Sequence, residues 1–399
     1  METVFFRRYL DAFLFLSCHV FVFGISAQAL AVEDSQVFSV KTSQPTEGLI
    51  SELNHILQSH VSLPCSRQKW HQIGEEYQRH FPVQASGMVL KEFLNNMLRE
   101  CGFPNGNILN QQDFKYWVIK QANQTMVRPV KSAGIWFLRR GNRWFINRVF
   151  HDSPAYRAGL KRGDEVLFSD KSFGPIYSYP KELASITSHY RRLPWSSVGQ
   201  QTVVPEWQFY PQELEKATKR SYSQRKHTNG HQIGYVRLFI TYHNQSTLLA
   251  SHLIEKVIEE SDYPVIDLRS AISVGPLSIA KTLHQKMKNK KRRDSTKKLT
   301  LIVDQWTDWQ FEKLATLLTA FYPTKVVGIS TQGQFNHPSY QFFGKGKWLL
   351  ITPDKNSKGR PSRLRPVLST EHFTDDLVYS GGDDTLFAHA MEYVARSSW

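Results

Sequence analysis

The fold is decided by residues 149–167, which read VFHDSPAYRAGLKRGDEVL. The stretch begins with apolar, strand-like residues. Pro154, which follows Ser153, then predicts that the chain bends and enters a helix of a single turn. Glycine adopts the left-handed backbone conformation at low cost, so Gly159 ends that helical turn and Gly163 directs the chain into the next strand. The stretch therefore predicts a strand, one helical turn and a second strand within about twenty residues.

Strand-like runs also precede this stretch, and they extend it into a larger β-rich module. Residues 134–138 and 144–150 are short, strand-like runs rich in apolar residues, and a turn at Gly141-Asn142 joins them. Together they predict a β module over residues 131–211. A polar and basic connector, residues 212–232, follows it, and we place a domain boundary there.

The last third of the chain, residues 212–399, alternates strands with helices. The sequence predicts strands at residues 233–240, 264–268, 299–303 and 325–329, and helices at residues 247–260, 277–287 and 308–320. Strands that are separated by helices of this length imply βαβ crossovers and much parallel pairing. By contrast, residues 32–130 are predicted to be mainly helical, with clear helical spacing at residues 49–57 and 88–100.

The first 31 residues read as a signal peptide. Arg7 and Arg8 precede an apolar stretch at residues 12–25, and small-residue cleavage sites follow at Ala29 and Ala31. We expect an exported, periplasmic protein; the alternative is an uncleaved membrane anchor.

Two cysteines, Cys65 and Cys101, follow the signal sequence. An oxidising compartment favours a disulfide between them, and the alternative is a pair of buried free thiols.

The chain carries a net charge of +15, which suits anionic surfaces such as lipid headgroups. The densest basic run, residues 286–298, contains no aromatic residue for base stacking, so we expect no nucleic-acid partner. The alternative for this run is a solvated helix end and loop. Histidines and cysteines show no metal-binding spacing, and we expect neither a metal nor another cofactor.

Residues 149–167 resemble the PDZ domain of bacterial proteases. This module and the domain of alternating strands and helices that follows it together resemble the C-terminal processing (tail-specific) serine peptidases. The resemblance runs from about residue 88 to the C-terminus. The matching stretches are IGYVR at 233–237, PVIDLR at 264–269, LIVD at 301–304, VVG at 326–328 and a closing helix at 383–394. The resemblance implies an α+β multidomain fold with N-terminal helices, a PDZ-like β module and an α/β peptidase-like core.

The same resemblance aligns the catalytic positions with residues that cannot perform the chemistry. The nucleophile stretch reads TDWQFE at residues 307–312, with Trp309 at the serine position. Gln334 stands at the position of the lysine base, and Ser273-Val274 replaces the glycine pair that serves the oxyanion. An indole is no nucleophile and an amide accepts no proton at neutral pH, so we expect a protein without peptidase activity.

An alternative is an active serine-type endopeptidase that uses displaced groups. Thr307 or Ser330 would then supply the hydroxyl. The base would be a nearby lysine: Lys313, Lys345 or Lys347.

The resemblance also implies a peptide-binding strand in the PDZ-like module. That strand and its carboxylate loop would be formed by Ala133, Gly134, Ile135, Trp136 and Phe137. An extended peptide adds to such an edge as a further strand, and free backbone N–H groups hold its terminal carboxylate. The partners would be C-terminal tails of peptides or proteins. The alternative is an edge covered by a neighbouring part of the chain.

Overall fold

The computed structural model describes residues 46–60, 65–80, 87–103, 107–123, 128–167, 177–178, 185–193, 196–227, 230–275, 278–289, 297–331, 333, 338–353, 364 and 368–369. The signal peptide, Gln334 and the closing helix predicted from the sequence lie outside these residues. All the described residues belong to one unit, Ser43–Trp399.

The described elements combine helices with several sheets, which confirms the α+β class. The helices are α1 (Thr46–His60), α2 (Arg67–Arg79), α3 (Gly87–Glu100), α4 (Phe114–Asn123), α5 (Pro154–Arg157), α6 (Tyr210–Ser221), α7 (Asn244–Glu260), α8 (Ile279–Asn289) and α9 (Trp309–Phe321). The strands are β1 (Asn107–Asn110), β2 (Val130–Ser132), β3 (Ile135–Arg140), β4 (Arg143–Val149), β5 (Glu165–Leu167), β6 (Ile186–Arg191), β7 (Gly199–Val203), β8 (Glu206–Gln208), β9 (Ser223–Lys226), β10 (Gln232–Arg237), β11 (Ile240–Thr241), β12 (Tyr263–Asp267), β13 (Ile272–Ser273), β14 (Leu299–Val303), β15 (Thr324–Gly328), β16 (Pro338–Phe343), β17 (Trp348–Pro353) and β18 (Leu368–Ser369).

The largest sheet has six strands in the order β18-β15-β14-β12-β10-β9. Its strands pair in parallel except at the β9–β10 edge, and α7, α8 and α9 connect successive parallel strands. Every residue of β14 is buried, as expected of a central strand that is covered on both faces. The predicted alternation of strands and helices is therefore confirmed.

A five-stranded antiparallel sheet, in the order β3-β4-β5-β6-β7, contains the stretch that decides the fold. Ser153 caps the one-turn helix α5 by accepting a hydrogen bond from the Tyr156 N–H, and Pro154 is its first residue. Gly159 and Gly163, where we predicted the end of the helix and the turn into the next strand, have φ of 79° and 86°, in the left-handed region that glycine adopts at low cost.

The segment that we predicted as a polar connector instead contains α6 and β9. Helix α6 buries Tyr210, Leu214 and Thr218 while its basic residues face outward, so its polar composition reflects one helical face. The helix packs against α4, and it leads into the edge strand of the six-stranded sheet.

The N-terminal helices pack on a three-stranded antiparallel sheet, in the order β1-β17-β16. Leu53, Leu94 and Met97 lie in one buried cluster with Phe343 and Trp348 of the β16–β17 hairpin. A disulfide joins Cys65 to Cys101, whose Cα atoms lie 5.0 Å apart. The helical region therefore shares its core with a hairpin from the C-terminal third of the chain.

Candidate functional site

The turn between β14 and α9 is the place where the resemblance puts the nucleophile; we call residues 304–309 the nucleophile turn. Thr307 in this turn is fully buried. Its hydroxyl lies 3.1 Å from the carbonyl oxygen of Leu268 and also accepts a hydrogen bond from the Asp304 N–H at 3.1 Å. These contacts give Thr307 the role of fixing the turn to the neighbouring strand.

Trp309, which the resemblance aligns with the nucleophile, is the first residue of α9 and is only 7% exposed. The ammonium nitrogen of Lys313 lies 4.9 Å from the centre of its ring, within the range of a cation–π contact. Burial, with the positive charge of Lys281 nearby, lowers the pKa of Lys313. The position that the resemblance assigns to the nucleophile therefore holds a buried indole.

Asp308 connects the nucleophile turn to two other parts of the chain. Its carboxylate caps α9 through the Trp309 N–H at 3.2 Å and accepts a hydrogen bond from the Ser273 N–H at 3.1 Å. Lys115 of α4 lies 3.4 Å from the same carboxylate, which is only 2% exposed. Neither Asp308 nor Lys115 is among the site residues predicted from the sequence, although an aspartate before a helical pattern is a recognisable cap signal.

The oxyanion segment, residues 273–275, has its backbone donors already engaged within the chain. The Ser273 N–H donates to Asp308, as described above. The Val274 and Gly275 N–H groups both donate to the carbonyl oxygen of Thr241, at 2.8 and 3.2 Å. Stabilising an oxyanion requires donors that point at the reacting carbonyl, so these groups would have to exchange partners first.

The carbonyl side of the oxyanion segment is also fixed. The Tyr340 hydroxyl donates to the Ser273 carbonyl at 2.8 Å. Burial and the nearby Asp308 carboxylate raise the pKa of Tyr340 well above its usual range, so it remains a donor at neutral pH. The Gln310 side chain donates to the Gly275 carbonyl at 3.0 Å.

Glu312, which the resemblance retains, is buried one turn into α9. Its carboxylate accepts a hydrogen bond from the Gly333 N–H at 2.9 Å and so fixes Gly333. Gln334 itself lies outside the described residues. The contact gives Glu312 a positioning role within the chain.

The other groups named for a displaced active site lie on different segments of the chain. Ser330 is half-buried after β15. Lys345 and Lys347 lie in the β16–β17 turn, where the Gly344 N–H donates to Glu52 of α1 at 2.9 Å. None of the hydrogen bonds or ion pairs described here joins these lysines to the Thr307 hydroxyl.

The strand predicted to bind peptide, residues 133–137, lies at the edge of the five-stranded sheet, and we call it the edge strand. Among the described strands, β3 pairs only with β4. Ala133, Ile135 and Phe137 are buried, at 3, 5 and 8% exposure, and Trp136 is half-buried. Gly134 has φ of 74°, and a Cβ there would lie 2.3 Å from that of Ser153, so only glycine fits.

Tyr177 contacts the edge strand where a peptide would add. Its hydroxyl accepts a hydrogen bond from the Phe137 N–H at 3.1 Å, and its ring lies 5.7 Å from the Phe137 ring. Tyr177 is 2% exposed. Part of the edge is therefore occupied by this chain's own side chain, as in the alternative considered from the sequence.

A buried chain of hydrogen bonds holds Tyr177 in place. The Gly134 N–H donates to the Ser132 hydroxyl at 3.0 Å, and that hydroxyl lies 2.7 Å from the Tyr210 hydroxyl. The Tyr210 hydroxyl lies 2.6 Å from the Tyr177 carbonyl oxygen. The edge strand is thereby connected to helix α6.

The basic run at residues 286–298 is only partly described. Lys286 pairs with Glu255 at 3.0 Å. The Lys297 ammonium donates to the carbonyl oxygens of Ile258 and Glu259, at 2.6 and 2.8 Å, at the end of α7. A cation there complements the negative end of the helix dipole, so one lysine of the run stabilises a helix terminus.

Within the ranges that the structure describes, no helix combines the length and the apolar composition needed to cross a bilayer. Those ranges also hold no group of three or more histidine, cysteine, aspartate or glutamate side chains arranged to bind a metal.

The sequence matches no protein-family model and no curated protein. Several solved structures have a fold similar to that of this chain. The photosystem II D1 C-terminal processing protease is 14% identical, over 82% of this chain and 93% of that one, with a TM-score of 0.43. A structure from Bacteroides fragilis NCTC 9343, described as an S41 protease, is 14% identical over 80% and 94%, with a TM-score of 0.45. Mature CPAF is 11% identical over 88% and 97%, with a TM-score of 0.47. The structural neighbours thus include C-terminal processing proteases at low identity, and likeness of this degree concerns the path of the chain alone.

Proposed function

We propose that this chain is a tail-specific-peptidase-like protein that binds C-terminal peptide segments without cutting them. The observation that carries the proposal is that the groups of the nucleophile turn and the oxyanion segment are buried or hydrogen-bonded within the chain. A buried tryptophan stands at the nucleophile position, and the Ser273 and Val274 N–H groups donate within the chain. Hydrolysis would need a nucleophile, a base and free oxyanion donors together.

The proposed binding site is the edge strand. An incoming peptide would pair with β3 and take over the Phe137 N–H, which now donates to the Tyr177 hydroxyl. Binding in this mode requires Tyr177 to move, so the apparent affinity includes the cost of displacing it.

Tyr177→Phe tests this mode because it removes the competing hydroxyl and keeps the ring. A net hydrogen bond contributes roughly 0.5–1.5 kcal/mol, so we expect a free-carboxylate peptide to bind roughly 2- to 10-fold more tightly. Tyr156→Phe, on an exposed tyrosine, is the matched control and should leave the affinity unchanged. Fluorescence anisotropy measures the affinity of each variant for a labelled peptide library, prepared once with free carboxylates and once with C-terminal amides. The binding proposal is lost if the protein prefers no free-carboxylate peptide over its amide.

We also propose that the protein is exported to the periplasm after cleavage of its signal peptide. The proposal is supported by the basic and apolar pattern of residues 1–31 and by the disulfide, which suits an oxidising compartment. Fractionation of cells with N-terminal sequencing of the mature chain tests it, and a cytoplasmic, uncleaved chain would contradict it.

The second candidate function is a serine-type endopeptidase with displaced catalytic groups. It is favoured by one observation, the lowered pKa of Lys313 beside the nucleophile turn. Against it, Thr307 is fully buried and engaged in hydrogen bonds within its turn. Turnover of unfolded protein substrates that survives purification and disappears in Lys313→Ala would favour this candidate over the first.

A further inference from the structure

One edge of the five-stranded sheet is a strand that carries none of the usual protection against pairing. Strand β7 is the last strand of this sheet, and among the described strands it pairs only with β6. Residues 198–204, which we call the valine strand, read VGQQTVV and contain no charged residue and no proline. The pairing of β7 with β6 also runs without a bulge. Charges, prolines and bulges are the devices by which natural sheets prevent pairing at their edges.

Two other sheet edges in the described part of the chain are protected. Strand β9, at the edge of the six-stranded sheet, carries Arg225 and Lys226, and both are exposed. At the edge strand, the Phe137 N–H already donates to the Tyr177 hydroxyl. In the ranges that the structure describes, the hydrogen bonds of the valine strand are those of its pairing with β6. The outer side of the valine strand is therefore available to a further strand.

The valine strand is held in a fixed register by the sheet behind it. Val203 is only 1% exposed and lies in the same buried cluster as Val166 of β5. Gly199 lies opposite Tyr190 of β6, and a Cβ at residue 199 would lie 2.7 Å from the Tyr190 ring. An aromatic ring that covers an edge glycine fixes the register of the strand. Because the strand is ordered before a partner arrives, pairing costs it little conformational freedom.

The other face of the valine strand is exposed along its whole length. Its side chains are those of Val198, Gln200, Thr202 and Val204. The two valines at the ends of this row are 49% and 57% exposed. Valine and threonine favour strands, so the row suits pairing with a further strand.

The order of these residues matches itself when the strand is turned around. With two copies antiparallel and Gln201 opposite Gln201, Val198 of each copy lies opposite Val204 of the other. Gln200 then lies opposite Thr202 on the same face, and no charge opposes a like charge. Cross-strand pairs are the unit by which a sheet is stabilised, and each of these pairs occurs twice about the twofold axis.

We propose that two copies of this chain pair through their valine strands and join two five-stranded sheets into one. A second copy is the occupant because it brings the same row of residues in the order that places valine opposite valine. An uncharged edge offers a foreign strand no charge by which it could be selected. The contact is isologous, so it closes at two copies instead of growing into a filament. The dimer does not depend on peptide binding at the edge strand, which lies on the far side of the same sheet.

Sedimentation velocity of the purified chain, over about a hundredfold range of protein concentration, tests the proposal. The buffer should contain about 0.15 M salt, where repulsion between two basic chains is largely screened beyond roughly 8 Å. We expect the weight-average mass to rise from that of one chain to that of two and then to stay constant. A chain that remains monomeric throughout would overturn the proposal and leave the edge to a strand of another protein. Assemblies that continue to grow would overturn it as well, because a closed twofold contact stops at two copies.

Two double variants test the register by charge. Val198→Lys with Val204→Lys places lysine opposite lysine at both ends of the contact, and we expect the dimer to weaken at least about tenfold. Val198→Lys with Val204→Glu changes the same two positions but places lysine opposite glutamate. We expect this second variant to dimerise at least about tenfold more tightly than the first. Equal dissociation constants for the two variants would contradict the register.

Val89→Lys is the matched control, because Val89 of α3 is as exposed as Val198, at 49%, and lies outside the sheet. It should dimerise as the wild type does. A loss equal to that of the lysine variant would indicate a general effect of charge and would overturn the proposal. Circular dichroism verifies the fold of each variant. If the lysine variant does not fold, Gln201→Lys takes its place, since a lysine there faces its own counterpart in the second copy.

Discussion

The contacts of Asp308 predict that its replacement by alanine will destabilise the protein substantially. The carboxylate is 2% exposed, caps α9 and accepts the Ser273 N–H. Loss of a helix cap costs about 1 kcal/mol, and an unpaired buried N–H costs roughly 1–3 kcal/mol. The Lys115 pair is partly exposed and adds less. We expect the free energy of unfolding of Asp308→Ala to fall by about 2–4 kcal/mol.

Urea denaturation followed by far-ultraviolet circular dichroism measures this change. Asp308→Asn is the matched control, because its amide oxygen can still accept an N–H group while the charge is lost. The amide has one oxygen, so one of the two N–H groups that Asp308 accepts is left unpaired, and we expect Asp308→Asn to lose roughly 1–3 kcal/mol, less than the alanine variant. If both variants lost the same amount, or if Asp308→Ala lost less than about 0.5 kcal/mol, then the carboxylate would not connect the two segments as described.

Three further predictions concern stability. Gly328 has φ of 120°, and a Cβ there would lie 2.1 Å from the carbonyl oxygen of Val303 on the adjacent strand. Gly328→Ala should therefore lower the melting temperature much more than the control Gly141→Ala, whose added Cβ would meet no atom within 4 Å. Similar shifts in the two variants would contradict the steric reasoning. The loop closed by Cys65 and Cys101 spans 36 positions, so a reducing agent should lower the free energy of unfolding by roughly 3–4 kcal/mol and have no effect on the double alanine variant. Tyr210→Phe removes the buried hydroxyl that contacts the Ser132 hydroxyl and the Tyr177 carbonyl, and it should lower the free energy of unfolding in urea by roughly 1–3 kcal/mol. An unchanged free energy of unfolding would show that these hydrogen bonds do not stabilise the fold.

Much of the core could be predicted from the sequence, because buried parallel strands and amphipathic helices have clear apolar patterns. The start of α7 is an exception. Its cap is His243, whose ring accepts the Ser246 N–H at 2.8 Å. Histidine is not among the usual cap residues, so the sequence placed the start of this helix three residues too late, at residue 247.

The contacts of the candidate site could be predicted much less well. The resemblance singles out residues 309 and 273–274 from the sequence, but the hydrogen bonds that engage the oxyanion segment leave no sign there. The contact of Tyr177 with Phe137 joins residues 40 positions apart. A hydroxyl that accepts one backbone N–H leaves no periodic pattern, and only the folded chain brings the two residues together.

Binding without cleavage is tested most directly by the fluorescence anisotropy of a labelled free-carboxylate peptide, followed over hours with the wild-type chain. We predict a rise to a constant plateau, with the peptide recovered intact at the end. A plateau that decays below the value of the free peptide, as fragments accumulate, would show cleavage and contradict the account. The absence of any rise would contradict it equally, because the proposed edge strand would then bind no tail.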